Sequence, residues 1–296
     1  MTDRSAEVFT AVRPLLFSIA YRMLGSVMDA EDVVQDAYLR WQEADHAAIQ
    51  SPQAYLATIV TRLCINQLTS ARARRETYVG PWLPEPLVTG GPDVSDPAGP
   101  VELAESLSMA FLVLLERLSP TERAVFLLHE VFDFEYPEIA RIVEKSEANC
   151  RQLLTRAKKH VGSPEARYTA SPERAERLME RFSAAASAGD MDGLLALLAD
   201  DITLWPDGGG KAAGAVLKPI HGAQSVARLV LNFARRFAAQ ERVVRFAEIN
   251  GQPGFISYVS GSLVAALIFD IRGDRIHTIY AIGNPDKLKA LTQHAR

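Results

Sequence analysis

The sequence predicts a multidomain fold, two all-α domains followed by a C-terminal α+β domain. Three observations carry that reading. Apolar residues recur at helical spacing over about 5–75 and again over 104–162. Between them, residues 76–103 hold Pro81, Pro84, Pro86, Pro92, Pro97 and Pro100 among Gly80, Gly90, Gly91 and Gly99, a density that excludes long helices and strands. After a break at Gly162-Ser163-Pro164, residues 172–296 mix helices with runs rich in Val, Ile, Phe and Tyr.

Residues 5–75 read as wholly helical. Within them Asp29–Trp41 is amphipathic: Val33, Val34, Ala37, Tyr38 and Trp41 share one face, while Glu31, Asp32, Gln35, Asp36 and Arg40 lie largely on others. Asp29 can cap this helix, and Glu31 and Asp32 suit its positive N-terminus. Charge pattern alone makes it an ordinary surface helix. A later helix, about 54–75, carries Arg62, Asn66, Arg72, Arg74 and Arg75, whose cationic and amide groups can follow a phosphate backbone. The plainer reading of that cluster is a solvated helix end entering the linker.

The stretch 119–160 is the most specific in the first two domains. Ser119-Pro120-Thr121-Glu122 is a helix start, with Ser as N-cap, Pro in the first turn and Glu closing a capping box. The apolar run Ala124–Phe132 follows. Pro137 opens a second helix with Ile139, Ala140, Ile142 and Val143 inward, and Glu144-Lys145 makes the turn. Ser146 can cap a third helix in which Cys150, Leu153, Leu154, Ala157 and Val161 face the core. Its start, Ser146 and Glu147, leads to an outer face of Ala148, Gln152, Thr155 and Lys159 flanked by Asn149, Arg151, Arg156 and Lys158. Such a helix-turn-helix suits a major groove: Arg and Lys neutralise phosphates, and Gln or Asn can reach base edges. A three-helix bundle with a solvated basic face is the alternative.

In the last block, helices are expected over about 172–188, 191–199 and 222–238, with strands Arg242–Ile249, Gly254–Ser260, Ser262–Ile271 and Arg275–Ile282. Gly273-Asp274 makes a hairpin turn. Strands segregated from helices point to a curved antiparallel sheet.

Composition bounds the partners. At 296 residues and 48% hydrophobic content the chain can bury several cores, and its net charge of −4 excludes a general nucleic-acid coat. DNA contact then has to come from local patches such as Arg141, Lys145, Arg151, Arg156, Lys158 and Lys159. Met1-Thr2-Asp3-Arg4 is not a basic leader ahead of an apolar stretch, and the apolar run Leu263–Phe269 stops at Asp270. A cytoplasmic protein with no signal peptide and no membrane partner is expected. Cys64 and Cys150 read as small core residues, and the histidines lack paired ligand spacing, so neither metal nor cofactor is expected.

An acidic amphipathic helix, a linker and a basic helix-turn-helix, in that order, resemble domains two and four of bacterial sigma factors. The resemblance is to the extracytoplasmic-function type, which lacks the middle domain, and it covers about residues 5–162. It implies that Asp29, Glu31, Asp32, Gln35, Asp36, Tyr38, Arg40 and Trp41 belong to a helix docking on the β′ clamp helices of core RNA polymerase. The loop after it, about Glu43–Gln50, would capture an unstacked base of the −10 element, with Asp45 and His46 as pocket residues. The helix bearing Arg62, Asn66, Arg72, Arg74 and Arg75 would approach the −10 duplex and its melted strand. The helix from Ser146 to Lys159 would read the −35 duplex.

Three short motifs extend the resemblance over nearly the whole chain: Trp82-Leu83-Pro84-Glu85-Pro86-Leu87, Asp207-Gly208-Gly209-Gly210-Lys211 and Asn284-Pro285-Asp286-Lys287-Leu288. Together they look like sigma factors that carry a fused SnoaL-like, NTF2-type domain. That implies a cone of sheet and helices around an apolar cavity, open to an unknown small-molecule ligand, in a domain that regulates the sigma core through these motifs. Prolines keep the first motif extended, with Trp82 and Leu87 as apolar anchors. A phosphate-loop reading of the second fails because Ala212 follows Lys211. Its glycines instead permit a tight turn or the close approach of another segment.

Relatives of this fold include cyclases and isomerases that use a pocket carboxylate and histidine. Candidates here would be Asp201, Trp205, His221, Tyr258 and Asp270, yet nothing in the sequence brings two of them together, and no catalytic residue is assigned. His221 stands where capping or packing suffices, and Asp270, beside a hairpin, is compatible with solvent. The expected function is therefore promoter-specific initiation without catalysis. The competing readings are a ligand-sensing helix-turn-helix regulator acting without polymerase and a SnoaL-type cyclase or isomerase.

Overall fold

The computed structural model describes residues 2–76, 78–89, 107–161, 172–212 and 216–292, with side chains described except at 2–4, 71–76, 172 and 292. The side chains of Arg72, Arg74 and Arg75, the linker from Gly90 to Pro100 and the Gly162-Ser163-Pro164 break lie outside the described residues. The chain forms two compact units, one drawn from 1–77 and 91–164, the other from 78–90 and 165–296.

The first unit is helical. Helices α1 (Thr2–Leu24), α2 (Val27–Glu43) and α3 (Pro52–Glu76) bury Leu16, Ile19, Tyr21, Val33, Val34, Ala37, Trp41, Leu56, Val60 and Cys64 between them. Ser26, not Asp29, caps α2: its hydroxyl accepts from Asp29 N at 3.1 Å. Gly25 at φ 67° ends α1, so the next extended residue becomes the cap and Asp29 falls in the first turn. Next come α4 (Met109–Leu115), α5 (Pro120–Glu130), α6 (Tyr136–Val143) and α7 (Glu147–Val161). The capping box on α5 forms as expected, Ser119 N donating to Glu122 Oε2 at 3.0 Å and Glu122 N to Ser119 Oγ at 3.3 Å.

Among the described residues of this unit, Arg22 and Arg123 are buried. Arg123 donates to Met23 O at 2.6 Å and to Glu116 Oε1 at 2.9 Å, joining α5 to the end of α1. Arg22 bonds to Ser18 on its own helix and lies over the Phe132 ring, and burial pulls its guanidinium down to about 10. Burial also pushes up the thiols of Cys64 and Cys150, both free cysteines.

The second unit is α+β. Helices α8 (Pro172–Ala188), α9 (Met191–Leu197) and α10 (Ala223–Arg236) accompany strands β1 (Leu198–Asp207), β2 (Ile220–His221), β3 (Arg242–Ile249), β4 (Gln252–Val259), β5 (Ser262–Arg272) and β6 (Arg275–Ile282). A short helix, α11 (Lys289–Thr292), follows. The sheet order is β2-β1-β6-β5-β4-β3. It is mixed rather than purely antiparallel, because β1 runs parallel to β6. β1 reaches β6 through a crossover that includes α10, and such a connection, unlike a hairpin, permits parallel pairing. β1 is the strand the sequence hides: Asp200 and Asp201 interrupt it, yet Ile202, Leu204 and Pro206 alternate inward along it.

Aromatic packing holds α8 on the sheet. Phe182 lies 5.3 Å from Phe269 and 6.4 Å from Phe255, and those two rings sit 5.4 Å apart. Among the described residues, no helix is long and apolar enough to cross a membrane.

Candidate functional site

Helix α7 presents the face expected of a groove-reading helix. Cys150, Leu154, Ala157 and Val161 are buried, so the 3.6-residue period leaves Ala148, Asn149, Arg151, Gln152, Thr155, Arg156, Lys158 and Lys159 exposed. Ser146 caps it, accepting from Asn149 N at 3.3 Å. Parts of this face are held internally. Arg151 pairs with Glu147 at 3.1 Å and lies 4.5 Å over the Tyr136 ring, while Lys158 pairs with Glu130 at 2.7 Å. Burial opposes ionisation of Glu130, but hydrogen bonds from Lys158 and His129 hold its carboxyl below the usual range.

On α2, Asp32, Gln35, Asp36 and Arg40 are exposed, Asp29, Glu31 and Tyr38 are half-buried, and Trp41 is buried. Trp41 donates its Nε1 proton to Ser5 O at 2.9 Å and packs on His46 at 4.2 Å, which makes it a brace for the helix. Glu31 pairs with Arg13. Leu39 is 52% exposed on the same helix, an apolar side chain that charge-pattern reasoning passes over. In the loop after α2, Asp45 accepts from Ala47 N at 3.1 Å and caps a single 3-10 turn, while His46 Nε2 bonds Trp41 O at 2.7 Å.

On α3, Asn66 is exposed and Arg62 is engaged elsewhere. Arg62 donates to Ile142 O at 3.0 Å and Arg141 O at 2.8 Å, and lies 3.0 Å from Glu144 Oε1. Those acceptors are the exposed carbonyl end of α6 and its left-handed C-cap, where Glu144 has φ 55°. A cation at that position complements the helix end.

The three short motifs meet in the second unit. Asp207 ends β1, and its buried carboxylate accepts from Lys287 Nζ at 2.7 Å, from Leu83 N at 2.8 Å and from the Tyr78 hydroxyl. Lys287 also donates to Leu83 O and lies 4.1 Å from the centre of the Trp82 ring. Asn284 donates to Tyr78 Oη at 2.9 Å. Burial, followed by the bond to Asp207, pushes the Tyr78 phenol above its ordinary range. The glycines give this meeting its room. A Cβ on Gly209, at φ +56°, would come within 2.3 Å of Asn284 Nδ2, and one on Gly210 within 3.1 Å of Val79 Cβ. Lys211 and Lys289 both pair with Asp286, holding its carboxyl below the usual range.

The linker continues along the sheet edge. Leu87 N donates to Asn250 Oδ1 at 3.0 Å, Asn250 N to Leu87 O at 2.7 Å, and Thr89 N to Glu248 O at 3.0 Å. Leu83 and Leu87 are buried as anchors, and Trp82 is half-buried. Sequence reasoning passed over Tyr78, Thr89, Glu248 and Asn250. The available signal was Tyr78 itself, an aromatic residue just ahead of Gly80-Pro81.

The five candidate acid–base groups do not converge. Asp201 is exposed, His221 faces solvent and bonds Thr203 at 3.1 Å, and Trp205 is half-buried. Tyr258 lies beneath Arg245. Asp270 is buried rather than solvent-facing, paired with Arg272 at 2.9 Å, because its strand is covered on both faces.

Comparison with known proteins places these features. Residues 8–74 match the family described as Sigma-70 region 2, and residues 108–161 match Sigma-70, region 4. The ECF RNA polymerase sigma factor SigJ of Mycobacterium tuberculosis is 39% identical over 288 residues, which span 94% of this chain and 91% of that protein. The probable ECF RNA polymerase sigma factor SigI of the same organism is 33% identical over 295 residues, 98% of this chain and 96% of its own length. The crystal structure of Mycobacterium tuberculosis SigJ matches with a TM-score of 0.75 at 36% identity, covering 96% of this chain and 98% of that one. With both sigma-70 regions present and relatives that align from end to end, this chain belongs to the extracytoplasmic-function RNA polymerase sigma factors.

Proposed function

We propose that this sigma factor is regulated in cis by its SnoaL-like domain, which grips the linker between the two sigma regions. As a sigma factor it binds core RNA polymerase and promoter DNA and performs no covalent chemistry. In the finer assignment, the exposed side of α2 (Asp32, Gln35, Asp36 and Arg40) engages the β′ clamp helices. Asp45, His46, Arg62 and Asn66, with Arg72, Arg74 and Arg75, serve the −10 element. The outer face of α7 reads the −35 duplex. The work is done where polymerase is, in the cytoplasm.

The observation that carries the regulatory reading is that Asp207 and Lys287 together take both the N–H and the C=O of Leu83. Holding the linker by its main chain leaves less free chain between the two sigma regions. A small-molecule ligand in the adjoining cavity is the natural input, since Asp207 also lines that cavity. The test is run-off transcription with purified core polymerase on the protein's own upstream region and on a genomic promoter library. The full chain is compared with Lys287→Met and with a chain ending at residue 162. Initiation that needs the chain and an output that shifts in Lys287→Met at equal core affinity are expected. Equal output from all three would sink regulation in cis.

A further inference from the structure

The second unit holds a partly open cavity of about 500 Å³ between α8, α10 and the inner face of the sheet, walled mainly by Phe182, Leu229, Phe233, Phe255 and Leu267. Ser183, Ser187, Asp207, Lys211 and Arg236 are polar residues of this lining, and two more carry buried atoms without a partner among the described residues. Ser257, on β4, is only 1% exposed, and its hydroxyl has no hydrogen-bond partner among the described residues. Arg242, on β3, lines the same cavity; its Nε is likewise buried without a partner, and its guanidinium lies 5.8 Å from the centre of the Phe233 ring.

Strand register brings these groups together. Ser257 pairs with Val244 and Arg242 with Val259, so Arg242 and Ser257 are diagonal neighbours on one face of the sheet. A buried donor left unsatisfied is costly, and although Arg242 as a whole is half-buried, desolvation pulls its guanidinium below the ordinary value. Among the described residues, no carboxylate pairs with Arg242, although Asp207 lines the same cavity. That carboxylate is already taken by Lys287, Leu83 N and Tyr78.

We infer that the cavity is a binding site for an apolar organic acid, its hydrocarbon part among the phenylalanines and its carboxylate on Arg242 and Ser257. This rests on the reading that the SnoaL-like domain takes a ligand, and it adds the ligand's chemical class. A cavity that is large, apolar and furnished with a few convergent polar groups is the usual form of a small-molecule site. The absence of an available acid–base pair among the described lining residues makes it a site for binding, not turnover. Its lining also includes Gly208, Gly283, Pro285 and Leu288, neighbours of the residues that hold the linker, so occupancy is felt where the linker is gripped.

The experiment uses the full chain saturated with 1-anilinonaphthalene-8-sulfonate and follows its displacement by decanoate, 1-decanol and decylamine. Decanoate is expected to bind about tenfold more tightly than 1-decanol, the ratio that a charge-assisted hydrogen bond supplies. Arg242→Met is expected to erase that preference while leaving 1-decanol binding unchanged, and Ser257→Ala to weaken decanoate more than 1-decanol. Arg242→Met fills similar volume, and a thermal melt checks its fold. Equal affinity for decanoate and 1-decanol in the unaltered protein would overturn the assignment of an acid but keep a ligand. Failure of all three to displace the dye would overturn both, and neither result touches regulation through the linker. A preference for decanoate that survives both substitutions would overturn the roles of Arg242 and Ser257.

Discussion

Lys287 Nζ stands 2.7 Å from Asp207 Oδ2 with 8% and 0% of the two side chains exposed, and the same two groups bind the main chain of Leu83. Removing one member of a buried ion pair costs about 3–5 kcal/mol, because the other is left charged in a dry site. Lys287→Met is therefore expected to lower the urea midpoint of the second unit strongly. The double variant with Asp207→Asn should lose less than the sum of the single losses. Strictly additive losses would show that the two side chains do not act as a pair.

Gly209→Ala combines two penalties, a left-handed backbone that costs about 1 kcal/mol and a clash with the Asn284 amide. Gly189→Ala is the control, with φ +72° and nothing within 4 Å of the added Cβ. Faster chymotryptic cleavage at Tyr78 and Trp82 is expected for Gly209→Ala and not for Gly189→Ala. Similar protection in both would mean that the linker is not held through this glycine.

The raised Tyr78 phenol makes its contribution pH-dependent. The folded chain keeps this proton to higher pH than the unfolded chain, so the stabilisation is fully present below the ordinary value of 10 and is lost as pH rises through the raised folded value. Tyr78→Phe should be less stable by about 1 kcal/mol at neutral pH. The gap to the unaltered protein should begin to narrow above pH 10, measured by urea unfolding across pH 7 to 11. A constant gap would contradict a phenol raised by burial and by its bond to Asp207.

Arg62 is held by the end of α6, and its proposed −10 role would require it to leave that end for DNA. Glu144→Gln weakens the internal hold without altering Arg62, and an exposed pair of this kind is worth about 0–1 kcal/mol. Promoter output is expected to rise by up to about fivefold, the equivalent of 1 kcal/mol. A fall would indicate that Glu144 supports the DNA-bound form.

On α7, different residues predict different losses. Lys159→Ala should weaken promoter binding evenly across sequences and lower the salt slope by about one ion. Gln152→Ala should cost about 1–3 kcal/mol at one −35 position and relax preference there. Fluorescence anisotropy on a −35 oligonucleotide panel at several salt concentrations separates the two, and identical sequence-independent effects would refute base reading by Gln152.

The start of α5, the turn before α7 and the inward and outward faces of α7 were legible because they depend on local caps and a 3.6-residue period, whereas the cap of α2 was misplaced. Trp41 shows the limit. Its place on the apolar face of α2 was readable, but its bond to Ser5 O was not, since that partner lies 36 residues away. β1 escaped notice for a related reason: adjacent aspartates break the local pattern, and only pairing with β6 makes the segment a strand.

By itself the sequence determined the domain classes, the helix-turn-helix and the three motifs, each written in contiguous residues whose period or composition suffices. Only the tertiary structure decided that Asp207 and Lys287, 80 residues apart, close on Leu83, that Arg62 faces the end of α6, and that Arg242 and Ser257 share one wall of a cavity. Burial and strand register create those relationships, and both arise from packing between segments that no local pattern connects.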